Sequence, residues 1–111
     1  MHELGLCASI VDAIEHRAGE RPVAKVRVRV GRLHHVHPEA FEQSFSIAAA
    51  GTIAADAAAE LVLLPVAARC ASCGARWDAD EIPLACAECG AVEVEVVGGD
   101  ELVLESIEYR S

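Results

Sequence analysis

Apolar residues recur at Leu4, Cys7, Val11, Ile14 and Ala18, with Ile10 beside them and Glu15, His16 and Arg17 opposite. That is the spacing of an amphipathic helix, and it predicts a helix ending near Gly19. The period then drops to two: Ala24, Val26, Val28 and Val30 alternate with Lys25, Arg27 and Arg29, which predicts a half-buried strand ending at Gly31 with its basic row toward solvent. Pro38 followed by Glu39 suits the first turn of a second helix, whose inner face is Phe41, Phe45 and Ala48 up to the break at Gly51-Thr52. The Ala-rich run Ala54 to Ala59 reads as a loop leading into a buried strand over the apolar run Leu61 to Val66. A last strand fits Leu102 to Tyr109. Between these two strands lies a Cys-rich insert, Ala68 to about Gly98, closed by Val92 to Val97, where apolar residues and Glu alternate.

The predicted fold class is α+β: a small mixed β-sheet with two helices, formed by residues 1–67 and 99–111, interrupted by an inserted four-cysteine zinc-ribbon lobe over residues 68–98. The chain has 111 residues, 53% hydrophobic, but only Phe41, Phe45, Trp77 and Tyr109 are aromatic, so buried volume per residue is modest. A chain of this size divided into two lobes gains from a metal staple. Nine Lys and Arg stand against 18 Asp and Glu, a formal charge of −9 that repels a phosphate backbone and makes general nucleic-acid binding a poor fit. The longest uncharged stretch, Gln43 to Ala55, covers 13 residues, short of the about 20 that a spanning helix needs. The first twenty residues lack the apolar block of a secretory signal, so a cytoplasmic location is expected.

Four of the five Cys lie between positions 70 and 89, clustering that favours metal over disulfides in an unsecreted chain. Cys70-Ala71-Ser72-Cys73 and Cys86-Ala87-Glu88-Cys89 are each followed by a glycine, Gly74 and Gly90, which lets backbone N–H groups turn toward the sulfurs. Two residues between ligands aim both sulfurs of a turn at one ion, and two such turns complete a tetrahedron. Four sulfurs leave no coordination position for water, so the zinc is structural and not hydrolytic. All five His precede the insert, which makes the site all-thiolate. The competing readings of the same spacing are a redox pair of Cys-x-x-Cys motifs and a rubredoxin-like iron site. Trp77, Ile82 and Leu84 are the expected core of the lobe, so metal binding, on the order of 10–16 kcal/mol for such sites, must replace missing apolar burial.

Met1-His2-Glu3 says little by itself, yet its α-amine, the His2 amide nitrogen and the His2 imidazole Nδ1 can form adjacent five- and six-membered chelate rings. A flat set of nitrogens suits Ni(II) or Cu(II). Met1-His2-Glu3-Leu4-x-Leu6-Cys7 opening a helix, Gly31-x-Leu33, Val36-x-Pro38-Glu39, Phe41 and Phe45, Gly51-Thr52, the paired Cys motif, Gly99-x-Glu101-Leu102 and Ser106-Ile107-Glu108 together resemble the HypA/HybF family of nickel metallochaperones, over the whole chain. The resemblance implies an accessory protein that receives Ni(II) as cargo at Met1, His2 and Glu3. It would deliver that ion during maturation of [NiFe]-hydrogenase and, in some organisms, urease. Cys70, Cys73, Cys86 and Cys89 would carry Zn(II). The implied partners are a HypB-like hydrogenase-maturation GTPase, the hydrogenase large-subunit precursor and, where urease is a client, its accessory proteins. Enzymatic activity is not expected, since neither a Ser-His-Asp set, a phosphate loop nor an open catalytic metal site is present in the sequence. The alternative is a zinc-ribbon adaptor that binds protein or nucleic acid and holds no second metal.

Two departures from the family pattern stand out. Ala87 follows Cys86 where similar proteins often have Pro, which should loosen that turn without removing a ligand. His34, His35 and His37 form a cluster that reads as a solvated turn, with an auxiliary nickel-loading site as the rival. Cys7, on the apolar face of the first helix, reads as a small buried hydrophobe in preference to a nickel thiolate, and His16 as an exposed residue.

Overall fold

The computed structural model describes residues 2–111. Its elements are α1 (His2–Ala18), β1 (Val23–Gly31), a 3-10 turn (Arg32–His34), α2 (Pro38–Ala49), β2 (Ala58–Leu64), β3 (Val66–Cys70), β4 (Arg76–Ala79), β5 (Val94–Gly98) and β6 (Leu102–Tyr109). The fold is α+β, with two three-stranded sheets in the orders β2-β1-β6 and β4-β3-β5. Contacts divide the chain into two units, one of residues up to Arg29 with Val36–Val62 and Val103–Ser111, the other of Val30–His35 and Leu63–Leu102. No helix among the described residues is long and apolar enough to cross a membrane.

In the first unit the helical stripe is buried as its periodicity requires: Cys7, Ile10, Val11, Ile14 and Ala18 on α1, with Phe41, Phe45 and Ala49 on α2. The α2 face therefore ends on Ala49, not on Ala48. Burial of side chains as large as Ile14 and Phe41 contributes about 1.5–3 kcal/mol each. The helices are tied by the Cys7 thiol, which donates to the Phe41 carbonyl at 3.6 Å. α1 stops where Gly19 takes φ +67 and returns its N–H to the Glu15 carbonyl at 2.9 Å, a left-handed cap that costs glycine little.

The basic row of β1 is neutralised by carboxylates on the strands to either side. Lys25 lies 3.3 Å from Glu60 and 4.0 Å from Glu108, Arg27 lies 2.9 Å from Glu105, and Arg29 lies 3.4 Å from the same carboxylate. Such exposed pairs are worth at most about 1 kcal/mol. Their electrostatic consequence is larger, because they cancel the one local cationic stripe a phosphate could use.

Two sequence expectations are corrected here. The apolar run Leu61 to Val66 is not one buried strand. Pro65 offers no backbone N–H to a ladder, so β2 ends at Leu64 and Val66 opens β3 of the other sheet. β2, at the edge of its sheet, is half-buried. The expected core of the Cys-rich lobe is also different: Trp77 is half-buried, and Ile82 and Leu84 are 55% and 91% exposed. What is buried in the second unit is Val30, Val66, Ala68, Cys70 and Cys86, so two of that unit's five buried apolar residues are cysteines of the paired motif.

Candidate metal centre

The second unit is built around β3, which pairs antiparallel with β4 (Ala68 opposite Trp77, Arg69 opposite Arg76) and with β5 (Arg69 opposite Glu95, Cys70 opposite Val94). The Arg69 guanidinium donates to Glu95 at 2.7 Å across the latter pair. β3 delivers Cys70 at its last residue, where a tight turn begins. In that turn the Cys70 N–H donates to the Ala75 carbonyl at 2.9 Å and the Gly74 N–H to the Cys70 carbonyl at 2.9 Å. The second turn repeats the pattern: the Cys86 N–H donates to the Ala91 carbonyl at 2.8 Å and the Gly90 N–H to the Cys86 carbonyl at 3.1 Å. Gly74 and Gly90 hold φ +80 and +76, a conformation in which any other residue is strained. The Ala71 N–H reaches the Glu93 carbonyl at 2.8 Å and fastens one turn to the chain leaving the other.

The two turns bring together the sulfurs of Cys70, Cys73, Cys86 and Cys89, all within 4.8 Å of one another. Cys70 and Cys89 Sγ are 3.7 Å apart, as are Cys73 and Cys86 Sγ. Four sulfurs held about 2.3 Å from one zinc ion stand about 3.8 Å from each other, so two of the six separations match a tetrahedral site and the rest, none above 4.8 Å, leave all four sulfurs able to close on one ion. Backbone N–H groups already point at the sulfurs: Cys73 to Cys70 at 3.4 Å, and Glu88 and Cys89 to Cys86 at 3.3 and 3.4 Å. With Ala87 in place of the proline often found there, the second turn keeps both of its N–H···S contacts. The Cys89 and Glu88 N–H groups, with hydrogen bonds from the neighbouring thiols, hold the Cys86 thiol down to about 6. Cys73 goes the other way: the Ala75 N–H favours its thiolate, but desolvation and three adjacent sulfurs push it up to about 12. Crowding of the sulfurs works against four free thiolates, and a divalent cation would offset that repulsion.

At the start of α1, the His2 side chain is 54% exposed and its Nδ1 lies 3.3 Å from the Glu3 carboxylate. Met1 lies outside the described residues. The Glu3 carboxyl is held below its usual range, first by its own backbone N–H and then, against partial desolvation, by the His37 N–H and the charge of His2. Sequence reasoning missed the link to His37. No spacing rule joins Glu3 to a residue so far along the chain, and only the docking of α1 on α2 brings them together.

The remaining candidates separate clearly. Among the described residues the four Cys form the one cluster of three or more metal-ligating side chains, so His34, His35 and His37 belong to none. His34 is engaged through Nε2 with the Asp100 carbonyl at 2.9 Å, while His35 and His37 are exposed. His16 is exposed, with Nδ1 3.2 Å from the Asp12 carbonyl of its own helix.

Cys7 is fully buried, and desolvation, helped by the Glu3 charge, raises its thiol from 9.0 to about 11. A raised folded-state value favours the neutral thiol in the fold. The resulting stability is present below pH 9 and is lost as pH rises through 11. We expect Cys7 in the folded protein to resist a disulfide reagent at pH 8 and to react at once in guanidinium, with chemical stability declining from pH 9 to 11. Equal reactivity in both states would contradict this burial.

The sequence model of the family described as hydrogenase/urease nickel incorporation, metallochaperone, HypA matches residues 1–109. The chain belongs to the HypA family. It is 40% identical to the hydrogenase maturation factor HypA of Rhodopseudomonas palustris strain BisB5, the match covering 97% of this chain and 98% of the relative. It is 32% identical to that of Desulfitobacterium hafniense strain DCB-2, the match covering 99% of each. The solution structure of the Ni metallochaperone HypA from Helicobacter pylori shares the fold, with a TM-score of 0.68 at 20% identity and 96% of each chain covered. In this HypA-family chain the four-Cys cluster fits a zinc ribbon.

Proposed function

We propose that this HypA-family chain is a nickel metallochaperone of hydrogenase maturation, with Zn(II) held by Cys70, Cys73, Cys86 and Cys89 and Ni(II) carried as cargo by Met1, His2 and Glu3. The observation that carries the reading is the family match along residues 1–109 together with an exposed His2 imidazole at the first residue of α1. Zinc, when bound, supplies charge neutralisation and a fixed crosslink between the two turns, and does no chemistry. The cargo site works differently. The Met1 amine, the His2 imidazole and the backbone nitrogens of His2 and Glu3 form an open chelate at the end of a helix. A docked partner replaces these donors one at a time, with no cage to dismantle. Nickel affinity falls as pH drops, since protons compete for every nitrogen in the set.

The partners we propose are a HypB-like GTPase and the [NiFe]-hydrogenase large-subunit precursor, with urease accessory proteins where urease is a client. The protein acts in the cytoplasm and catalyses no reaction. An adaptor that binds nucleic acid through the β1 basic row is disfavoured, because Glu60, Glu105 and Glu108 already pair with that row.

The test is calorimetric titration of nickel into untagged, zinc-loaded protein. One Ni(II) per chain is expected. His2→Ala should weaken binding by about a hundredfold, since loss of the imidazole breaks a chelate ring, and residues added ahead of Met1 should weaken it similarly by removing the amine. Unchanged affinity in either variant removes that group from the site.

A further inference from the structure

The four sulfurs of the Cys-rich unit differ in a way that holding a metal does not require. Along the chain they alternate: Cys70 and Cys86 are buried, whereas Cys73 and Cys89 are exposed. Each turn therefore carries one covered sulfur and one that solution reaches. The covered sulfur is also the one its own turn grips, since Cys70 takes the Cys73 N–H at 3.4 Å and Cys86 takes the Glu88 and Cys89 N–H groups at 3.3 and 3.4 Å. The 3.7 Å sulfur contacts run between the turns, Cys70 to Cys89 and Cys73 to Cys86. Both of these pairs join an exposed sulfur of one turn to a buried sulfur of the other. That is the layout of an oxidisable pair, in which an outer sulfur meets the oxidant and an inner one resolves the product.

We propose that Cys73 and Cys89 are sites of reversible oxidation by a hydroperoxide, each resolved by the buried cysteine of the opposite turn, so that the four-thiolate site becomes two crossed disulfides and its zinc is freed. The Cys89 thiolate attacks one oxygen of hydrogen peroxide: an S–O bond forms as the O–O bond breaks, and the departing hydroxide takes up a proton to become water. The Cys70 thiolate then attacks the Cys89 sulfur, forming S–S as S–O breaks, and the second hydroxide also leaves as water. Cys73 and Cys86 repeat both steps. In sum, the four thiolates give four electrons to two peroxides, with four protons taken up and four waters released. Metal ligation needs the thiolate, so each disulfide removes two donors from the site. Joining across the turns separates this chemistry from that of a redox Cys-x-x-Cys motif, where the two sulfurs of one turn combine. The zinc in this proposal rests on the proposed function; the pairing of the sulfurs does not.

The test titrates hydrogen peroxide into the zinc-loaded full chain and needs no substitution, so the folding of a variant is not at issue. Zinc read with a metallochromic dye should be released completely once about two peroxides per chain are consumed, and should rebind after a thiol reductant is added. With dimedone present, the sulfenic acid adducts should fall on Cys73 and Cys89. Trypsin cuts after Arg69, Arg76 and Arg110, which leaves Cys70 and Cys73 on one peptide and Cys86 and Cys89 on another. Mass spectrometry of the oxidised chain should find these two peptides joined, with fragmentation assigning Cys70 to Cys89 and Cys73 to Cys86. Two separate peptides, each lighter by two hydrogens, would mean that the sulfurs of one turn combine and would overturn the proposal. Dimedone on Cys70 or Cys86 ahead of the exposed pair would do the same, as would zinc retained with all four thiols intact at a roughly tenfold excess of peroxide. Should the purified chain hold no zinc, the metal assignment fails, while the peptides of the reduced, metal-free chain after peroxide still decide the pairing.

Discussion

Stripping the metal from this protein is expected to unfold the Cys-rich unit while the two-helix unit stays folded. Within the second unit only Val30, Val66, Ala68, Cys70 and Cys86 are buried apolar residues, and Ile82, Leu84 and Val92 are largely exposed. Strands of four and five residues, as β4, β3 and β5 are, have little stability of their own. Zinc binding by a four-thiolate site is worth on the order of 10–16 kcal/mol, more than so small a core supplies. The sole tryptophan, Trp77, sits on β4 opposite Ala68, so its fluorescence reports on this unit alone. A strong chelator at neutral pH should shift Trp77 emission to that of a solvated indole and collapse amide dispersion for residues 63–102. Cys73→Ser should need far more zinc to reach the same state. α1 and α2 should keep their helical signal throughout, because Cys7, Ile10, Ile14, Phe41 and Phe45 owe nothing to the ion. Native dispersion of residues 63–102 in verified metal-free protein would show that apolar packing holds this unit and that the thiolates serve another purpose.

Gly31→Ala should be among the most damaging single changes outside the cysteines. A Cβ at Gly31 would overlap the carbonyl oxygen and carbon of Gly99, with the Asp100 nitrogen at 2.7 Å. All three are backbone atoms that cannot swing aside. They are held by the Gly31 N–H to the Glu101 carbonyl at 2.8 Å and the Leu33 N–H to the Gly99 carbonyl at 2.9 Å. Relief requires separating those segments and losing the hydrogen bonds. We expect a cost on the order of 3 kcal/mol and a Tm lower by about 15 °C, measured by calorimetry of the zinc-loaded chain. Gly5→Ala is the matched control: it lies in α1 with nothing within 4 Å of the added carbon, and should gain up to about 1 kcal/mol through helix propensity. If both substitutions moved Tm equally, the close approach of Gly31 to Gly99 would not be a real constraint.

The helices and β1 were legible because each buries one face, and burial of one face imprints a period on the sequence. The end of α1 at Gly19 and the start of α2 at Pro38 could be read from terminating residues whose backbone preferences are local. The paired Cys turns were equally plain, since spacing and the following glycine are local requirements of the turn itself. β4 was not legible: four residues are too few to show a period, and the strand is ordered by pairing with β3. The misplaced core followed from the same limit. Ile82 and Leu84 are apolar, but whether an apolar residue is buried depends on what folds over it, and here nothing does.

By itself the sequence determined the two amphipathic helices and the two sulfur turns, because each follows from spacing along a few neighbouring residues, and the fold class and family, because these signatures follow one another in order along the whole chain. Only the tertiary structure decided that the four sulfurs converge within 4.8 Å of one another, that the β1 cations are already paired and that Gly31 admits no side chain. Each of these depends on which distant segments meet, and that is set by the packing of whole faces, where no local spacing rule applies.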